Sequence, residues 1–455
     1  MTFWTYDHLA QVTAGTWRVP PADADAILPA ALRDAGPVLW HDTRELQPGQ
    51  CYLAIQGENF DGHDYVDDAF EKGAALAIVD ADSAPSAIRH PPSTILQVED
   101  TVKALQDLAR AYRDELARGS CKVIGVAGSN GKTTTRHLIH HVLTHAGKTG
   151  TQSPKSFNNH LGVPLTLLAA RPTDDFVACE IGTNHPGEID FLSAICRPDI
   201  AVITSIGEEH LEFFKDLDGV TKEELSIANH FDDETYCVVG SSVPWHDTAL
   251  ESAVLRAEPH AYAVKDIRRV IDPTHEPTRE CAHLAAWVAL IMGVVFDDAL
   301  DAMQCATTPP GRWEKCHYGQ GVTLINDAYN ANLTSVLQAL DSFGGQPGNR
   351  RVFVFGEMYE LGDASLRAHE GVGQAVCCMG VDEFIAIGKQ TAPAATIAKR
   401  DVSTRYHEQW TDDLPDQVAA LLQPGDTVLL KASRGMRLER LIPAIEKRFG
   451  KADET

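Results

Sequence analysis

Short apolar runs rich in valine and isoleucine recur along this chain. Each is followed by a polar or glycine-bearing loop and then by a stretch with helical apolar spacing. Continuous runs of this kind read as strands buried on both faces of a parallel sheet. One series comprises Val123–Val126, Phe176–Cys179, Ile200–Thr204, Tyr236–Val239 and Ala261–Val264. A second comprises Val322–Ile325, Arg351–Phe355, Glu383–Ile387 and Thr427–Leu430. Nearer the N-terminus, Cys51–Ile55 alternates toward a strand after the turn at Pro48-Gly49, and a helix is predicted to end near Gly73. Strands alternating with helices define an α/β chain with parallel sheets. At 455 residues it exceeds one core of usual size. We expect three domains: a small N-terminal α/β domain over 1–117, a central parallel-sheet domain over 118–310, and a C-terminal Rossmann-like domain over 311–455.

The first central run leads into Gly128-Ser129-Asn130-Gly131-Lys132-Thr133-Thr134, and then into a helix carrying Leu138, Ile139, Val142 and Leu143. Strand, glycine turn, lysine, hydroxyl and helix together predict a phosphate cradle for ATP or GTP. Backbone N–H groups and the helix N-terminus face one anion, Lys132 serves the outer phosphates, and the Thr133 hydroxyl is placed for Mg²⁺. The strict G-x-x-x-x-G-K-[ST] pattern fails by one residue, since Val126 occupies its first glycine and the glycines are Gly125, Gly128 and Gly131.

In parallel sheets chemistry gathers beyond the carboxyl ends of the strands. Glu180 and His210 follow their strands closely, so both are expected near Lys132. A carboxylate there suits Mg²⁺, a hard ion that takes oxygen ligands; His210 taken alone reads equally well as a packed loop residue. After the first C-terminal strand, Asn326-Asp-Ala-Tyr-Asn-Ala-Asn-Leu-Thr-Ser335 reads either as a site or as a helix cap. Thr43-Arg44, near the loop Phe60-Asp-Gly-His63, reads either as a plain connection or as an anion or sugar site.

Composition narrows the partners. A formal charge of −25 argues against non-specific nucleic-acid binding. The ten cysteines form no C-x-x-C pair and are expected to be buried free thiols in a reducing compartment. His137, His140 and His141 read as a helix face, and Lys451–Thr455 as a frayed tail. With no apolar run of membrane length and no secretion signal, a cytoplasmic protein without membrane insertion is expected.

Taken in order, several stretches resemble the Mur ligases, the ATP-dependent ligases of peptidoglycan precursor synthesis. They are His41-Asp-Thr-Arg44 with Phe60-Asp-Gly-His63, Gly125–Thr134, Phe157-Asn-Asn-His-Leu-Gly-Val-Pro164, Glu180-Ile-Gly-Thr-Asn-His185 and Ile206-Gly-Glu-Glu-His-Leu-Glu212. Gly311-Arg312, Asp327-Ala-Tyr-Asn-Ala-Asn332, Phe355-Gly-Glu-Met-Tyr-Glu-Leu-Gly362 and Lys431-Ala-Ser-Arg434 complete the set. The resemblance implies a UDP-sugar domain, an ATPase-like P-loop domain and a C-terminal domain that admits the incoming amine. It implies ATP and Mg²⁺ as cofactors and UDP-N-acetylmuramoyl-tripeptide and D-alanyl-D-alanine as substrates of a monomer; a sibling ligase adding another amino acid and a catalytically lapsed nucleotide binder are the alternatives. By the same resemblance Lys132 lies on the nucleotide phosphates, Thr133 and Glu180 on one Mg²⁺, and His210 on a second. Arg312, Asp327 and Asn330 reach the nucleotide. Thr43, Arg44, Asn158, Asn159 and Asn332 serve the substrates.

The chain departs from the family pattern at several points. Ser156 and His160 replace an asparagine and a glutamate, Leu333 a proline, and Ala282 stands where an adenine-seating asparagine is expected. Fourteen positions after His210 the family carries a carbamylated lysine beside the second Mg²⁺; here the residue is Glu224, with Glu223 or Lys222 one or two steps away. The resemblance therefore implies that Glu224 supplies the anionic oxygens.

Overall fold

The computed structural model describes residues 3–32, 36–57, 59–82, 94–246, 248–261 and 276–452. Three sheets carry the chain, in an α/β fold of three domains. The first has the order Thr16–Val19, Ile95–Val98, Leu76–Asp80, Cys51–Leu53, Leu39–Trp40, and only its Thr16–Val19 edge runs antiparallel. Cys51–Leu53 is shorter than expected because the Gly62 N–H takes the Ile55 carbonyl at 2.9 Å and turns the chain into its loop.

The central sheet is wholly parallel, in the order Tyr236–Val239, Ile200–Ile203, Lys122–Ala127, Phe176–Glu180, Gly150–Gln152. Lys122–Ala127 is its middle strand. Ile124 and Val126 pack on Leu138, Ile139, Val142 and Leu143 of the helix Lys132–His145, all buried. Of the expected strand Ala261–Val264, Ala261 ends a helix, Glu251–Ala261, and the rest lies outside the described residues.

The helix Thr101–Arg118 joins the first two sheets. Asp100 caps it, and its Leu105, Leu108 and Tyr112 belong to one apolar cluster shared by both. Buried Arg113 on this helix donates to the carbonyls of Cys196 and Arg197 and to Asp199. The third sheet has the order Glu314–His317, Thr323–Asn326, Asp426–Lys431, Arg350–Gly356, Glu383–Ile387, Ser403–His407, antiparallel only at its first strand. Phe353, Phe355 and Phe384 fill one face; Val352, Val354, Ile385 and Ile387 fill the other.

Six of the ten cysteines are buried, whereas Cys305 and Cys378 are exposed. Lys451 forms a bridge with Tyr318; the remainder of the expected tail, 453–455, lies outside the described residues. Among the described residues no helix is long and apolar enough to cross a membrane.

Candidate active site

The middle strand delivers the chain into Gly128, whose φ is 113°. A Cβ there would lie 2.3 Å from Thr204 Oγ1 and 2.7 Å from the Thr204 nitrogen, so only glycine fits. Gly131, at φ 87°, caps the helix Lys132–His145, whose first-turn N–H groups have no intrahelical acceptor. The neighbouring strand end holds the loop open. Ser129 N–H donates to Ser205 O at 2.8 Å, Thr204 Oγ1 donates to Asn130 O at 2.5 Å, and Gly207 N–H donates to Ser129 Oγ at 2.9 Å. The result is an anion cradle at the carboxyl edge of a parallel sheet.

Lys132 curls over this loop. Its ammonium donates to the Gly128 and Ser129 carbonyls and lies 3.7 Å from Glu209 Oε2. Burial by itself lowers a lysine pKa, but Glu209, Glu224 and Glu180 outweigh it and hold this one above the ordinary value. Behind the loop, fully buried Glu224 accepts the Gly128 N–H on Oε2 at 2.7 Å. Its Oε1 and the Oε1 of Glu209 are both buried without a hydrogen-bond partner among the described residues. Burial raises the Glu224 pKa far above the carboxylate range; Lys132 opposes the rise and Glu209 adds to it. The neighbours named as alternatives stand elsewhere. Glu223 accepts N–H groups of Gly187 and Ile189, at the start of the helix Glu188–Cys196, and Lys222 is exposed.

Glu180 ends its strand at 1% exposure. Arg136 Nε lies 3.3 Å from its Oε2, and Asn158 Nδ2 donates to its Oε1 at 3.1 Å. The C-terminal domain then closes over the loop. Arg312 Nη2 donates to Thr133 Oγ1 at 2.9 Å and stacks on the Tyr329 ring at 4.2 Å; Tyr329 also bonds through its hydroxyl to Ser156. Asn332 caps the helix Leu333–Gly344 and also donates from Nδ2 to Asn130 Oδ1 at 3.0 Å. Asn332 is thus a helix cap that also reaches the phosphate loop. Lys431 Nζ binds Asp327 Oδ2 at 2.7 Å and the Asn330 carbonyl at 3.1 Å.

A cavity of about 780 Å³ lies between the two domains. The loop residues Ser129 to Thr134, with Asn158, Asn159, Glu180 and His210, line one side; Arg312, Asp327, Asn330 and Asn332 line the other. Gly128 and Glu224 stand behind the wall rather than on it. Thr43 and Arg44 are outside this cavity, following the strand Leu39–Trp40; the Arg44 side chain is 86% exposed and pairs with Asp42 at 2.6 Å. Ala282 turns into the apolar core, so Pro277, Thr278 and Cys281 face the cavity from its helix. His141 Nε2 lies 2.9 Å from Ala302 O on the helix face.

Arg136, Glu209, Tyr329 and Lys431 were outside the expected site. Arg136 follows Lys132 by one helical turn, which puts both on one face, and Glu209 adjoins His210. Among the described residues no three histidines, cysteines or carboxylates converge as a metal cluster. A cation here would draw on Thr133, Glu180 and ligand oxygens.

A phosphate loop at the centre of a parallel sheet, closed by a second doubly wound domain, defines a P-loop enzyme of the ATP-dependent ligase class. Three family models match: "Mur ligase family, catalytic domain" at 39–113, "Mur ligase middle domain" at 126–265, and "Mur ligase, glutamate ligase domain" at 311–434. The chain belongs to the Mur ligase family. It is 32% identical to the UDP-N-acetylmuramoyl-tripeptide–D-alanyl-D-alanine ligase of Bacillus subtilis, with 96% of this chain and 97% of the relative covered. The ligase of the same name from Mycobacterium tuberculosis is 30% identical, with 97% of each covered. A crystal structure of MurF from Acinetobacter baumannii superposes with a TM-score of 0.78 at 26% identity, covering 98% of this chain and 99% of that one.

Proposed function

We propose that this protein joins the terminal carboxylate of UDP-N-acetylmuramoyl-tripeptide to the amino group of D-alanyl-D-alanine at the expense of ATP. The observation that carries the reading is the Arg312–Thr133 contact at 2.9 Å. It puts a C-terminal guanidinium on the hydroxyl of a phosphate loop and so completes the cationic surround only when the domains meet. The full-length likeness to ligases of that name supports the choice of substrates.

A carboxylate is a poor acyl donor at neutral pH. Its oxygen attacks the γ-phosphorus, the bond to the β-phosphate oxygen breaks, and ADP leaves an acyl phosphate. The dipeptide amine then attacks the acyl carbon, loses a proton and expels phosphate as the amide forms. The first step needs charge neutralisation and alignment more than covalent help. Lys132 and Arg312 neutralise the transferring phosphoryl oxygens, the N–H groups of residues 131–134 hold them, and Asp327 and Asn330 fix the nucleotide from the C-terminal side. Thr133 and Glu180 would hold Mg²⁺ through oxygen donors, with His210 at a second position, and the ion would supply charge neutralisation at the phosphates. Glu224 acts from behind by holding Gly128 and facing Lys132. Asn158, Asn159 and Asn332 position the acyl substrate, and Thr43 and Arg44 its UDP-sugar end. Closure keeps water from the acyl phosphate. We take the active unit to be a cytoplasmic monomer, since ATP is consumed and one chain supplies both walls of the cavity.

Phosphate release from ATP with UDP-N-acetylmuramoyl-tripeptide, assayed with D-alanyl-D-alanine and with single amino acids, tests this reading. Stimulation by the dipeptide is expected. Stimulation by a single amino acid alone would assign a sibling activity, and none by any pairing would leave a nucleotide binder.

A further inference from the structure

The incoming dipeptide carries a free carboxylate besides its reacting amine. An anion in a cavity shielded from water needs a cation or several N–H donors. Four lysine and arginine side chains line the cavity: Lys132, Arg312, Lys431 and Arg434. Three are committed. Lys132 is folded onto the phosphate loop, Arg312 is held at that loop by Thr133 and the Tyr329 ring with its Nε still unpartnered, and Lys431, with a side chain 3% exposed, is spent on Asp327 and Asn330.

Arg434 differs from these. It begins the short turn Arg434–Met436 on the C-terminal domain, and its side chain is 58% exposed. Its Nη1 donates to Glu439 Oε1 at 2.7 Å, which fixes one end of the guanidinium. The remaining donors carry no hydrogen bond among the described residues, leaving a fork suited to a second carboxylate. Two aromatic rings flank it. Tyr329 lies 5.5 Å from the guanidinium, and a Cβ on Gly435 would meet Tyr359 Cε2 at 2.8 Å, so the Tyr359 ring lies against the turn. Small methyl side chains fit between such walls.

We propose that Arg434 binds the C-terminal carboxylate of the incoming dipeptide, held by Glu439 from one end and walled by Tyr329 and Tyr359. This inference rests on the amide-ligase reading above. It makes Arg434 the residue that demands a free carboxylate on the amine substrate, apart from the phosphate chemistry.

The test is a kinetic cycle with D-alanyl-D-alanine and its C-terminal carboxamide, on wild type, Arg434→Ala and Arg434→Lys. Loss of a charge-assisted pair is expected to raise KM for the dipeptide about 10- to 100-fold in Arg434→Ala. Arg434→Lys, which keeps the charge but not the fork, should fall between. The carboxamide should be a poor substrate for wild type and no poorer for Arg434→Ala. KM for ATP should stay within about twofold, a readout that would move if Arg434 served only to brace Tyr329 under Arg312. Equal losses on dipeptide and carboxamide, or an unchanged dipeptide KM, would overturn the assignment while leaving the ligase reading intact. A wild type that turns over neither dipeptide nor carboxamide would overturn both.

Discussion

His210 Nδ1 and Glu360 Oε2 lie 2.6 Å apart across the boundary between the central and C-terminal domains. The approach lacks hydrogen-bond alignment, and both residues hold left-handed backbone, with φ of 48° and 60°. For a residue with a Cβ that conformation costs about 1–2 kcal/mol. The strain is maintained where two domains press together, beside Arg312 on Thr133 and Asn332 on Asn130.

These contacts predict a protein that is already closed before substrates bind. Small-angle scattering should give nearly the same radius of gyration with and without nucleotide. The double variant Glu360→Ala, Arg312→Ala should expand the free protein and restore a nucleotide-dependent contraction. An unchanged radius in the double variant would mean that other contacts hold the domains.

Lys132 is the first residue of its helix and no part of the apolar core, and its ammonium reaches only backbone carbonyls and Glu209. Lys132→Ala should therefore lower kcat by at least about 100-fold, as loss of a transition-state charge does, with an unchanged melting curve. Activity within a few-fold of wild type would refute the assignment of the phosphate loop.

Glu224 bonds the Gly128 N–H from behind the cavity wall, at the position where the resemblance implied a carbamate. Turnover should not respond to added bicarbonate. Glu224→Gln should cost about 10- to 100-fold in kcat, the usual effect of a group that orients ligands from behind, most visibly at limiting Mg²⁺. Wild-type kinetics for Glu224→Gln across a magnesium titration would exclude such a role.

His369 is fully buried under the loop that carries Tyr359 and Glu360. Its Nε2 accepts the Met358 N–H at 3.2 Å, so Nδ1 carries the proton and donates to Ser365 O at 2.8 Å. Burial holds its pKa below the usual 6.5. Above that value both folded and unfolded forms are neutral and the loop contact contributes fully. As pH falls below it the unfolded chain takes up a proton that the folded one refuses, and stability declines until the folded pKa is reached. Tm should drop between about pH 7.5 and 5.5. His41, His137, His140 and His407 carry the same sign, so His369→Gln should flatten the slope only in part. An identical slope in His369→Gln would remove His369 from the account.

Much of this architecture was legible in the chain because buried parallel strands are continuous apolar runs. Lys122–Ala127, Tyr236–Val239 and Glu383–Ile387 lie where the pattern predicts them. The edge strands Thr16–Val19, Glu314–His317 and Ser403–His407 bury no full face, so they carry no such signal. The phosphate loop was equally legible, since Gly128, Gly131, Lys132 and Thr133 all fall within one strand-to-helix turn. Local sequence also set Glu180 and His210 at strand ends, where a parallel sheet collects its chemistry. Only the tertiary structure decided what those residues meet. It set Glu224 rather than Glu223 behind the loop, because which helix residue turns inward depends on packing against a distant strand. It put Arg312 and Asn332 on the loop across more than 170 residues of chain, as the Arg312–Thr133 and Asn332–Asn130 bonds record. And it left Arg434 on the cavity wall with donors to spare, a property set by the neighbours that folding gives it.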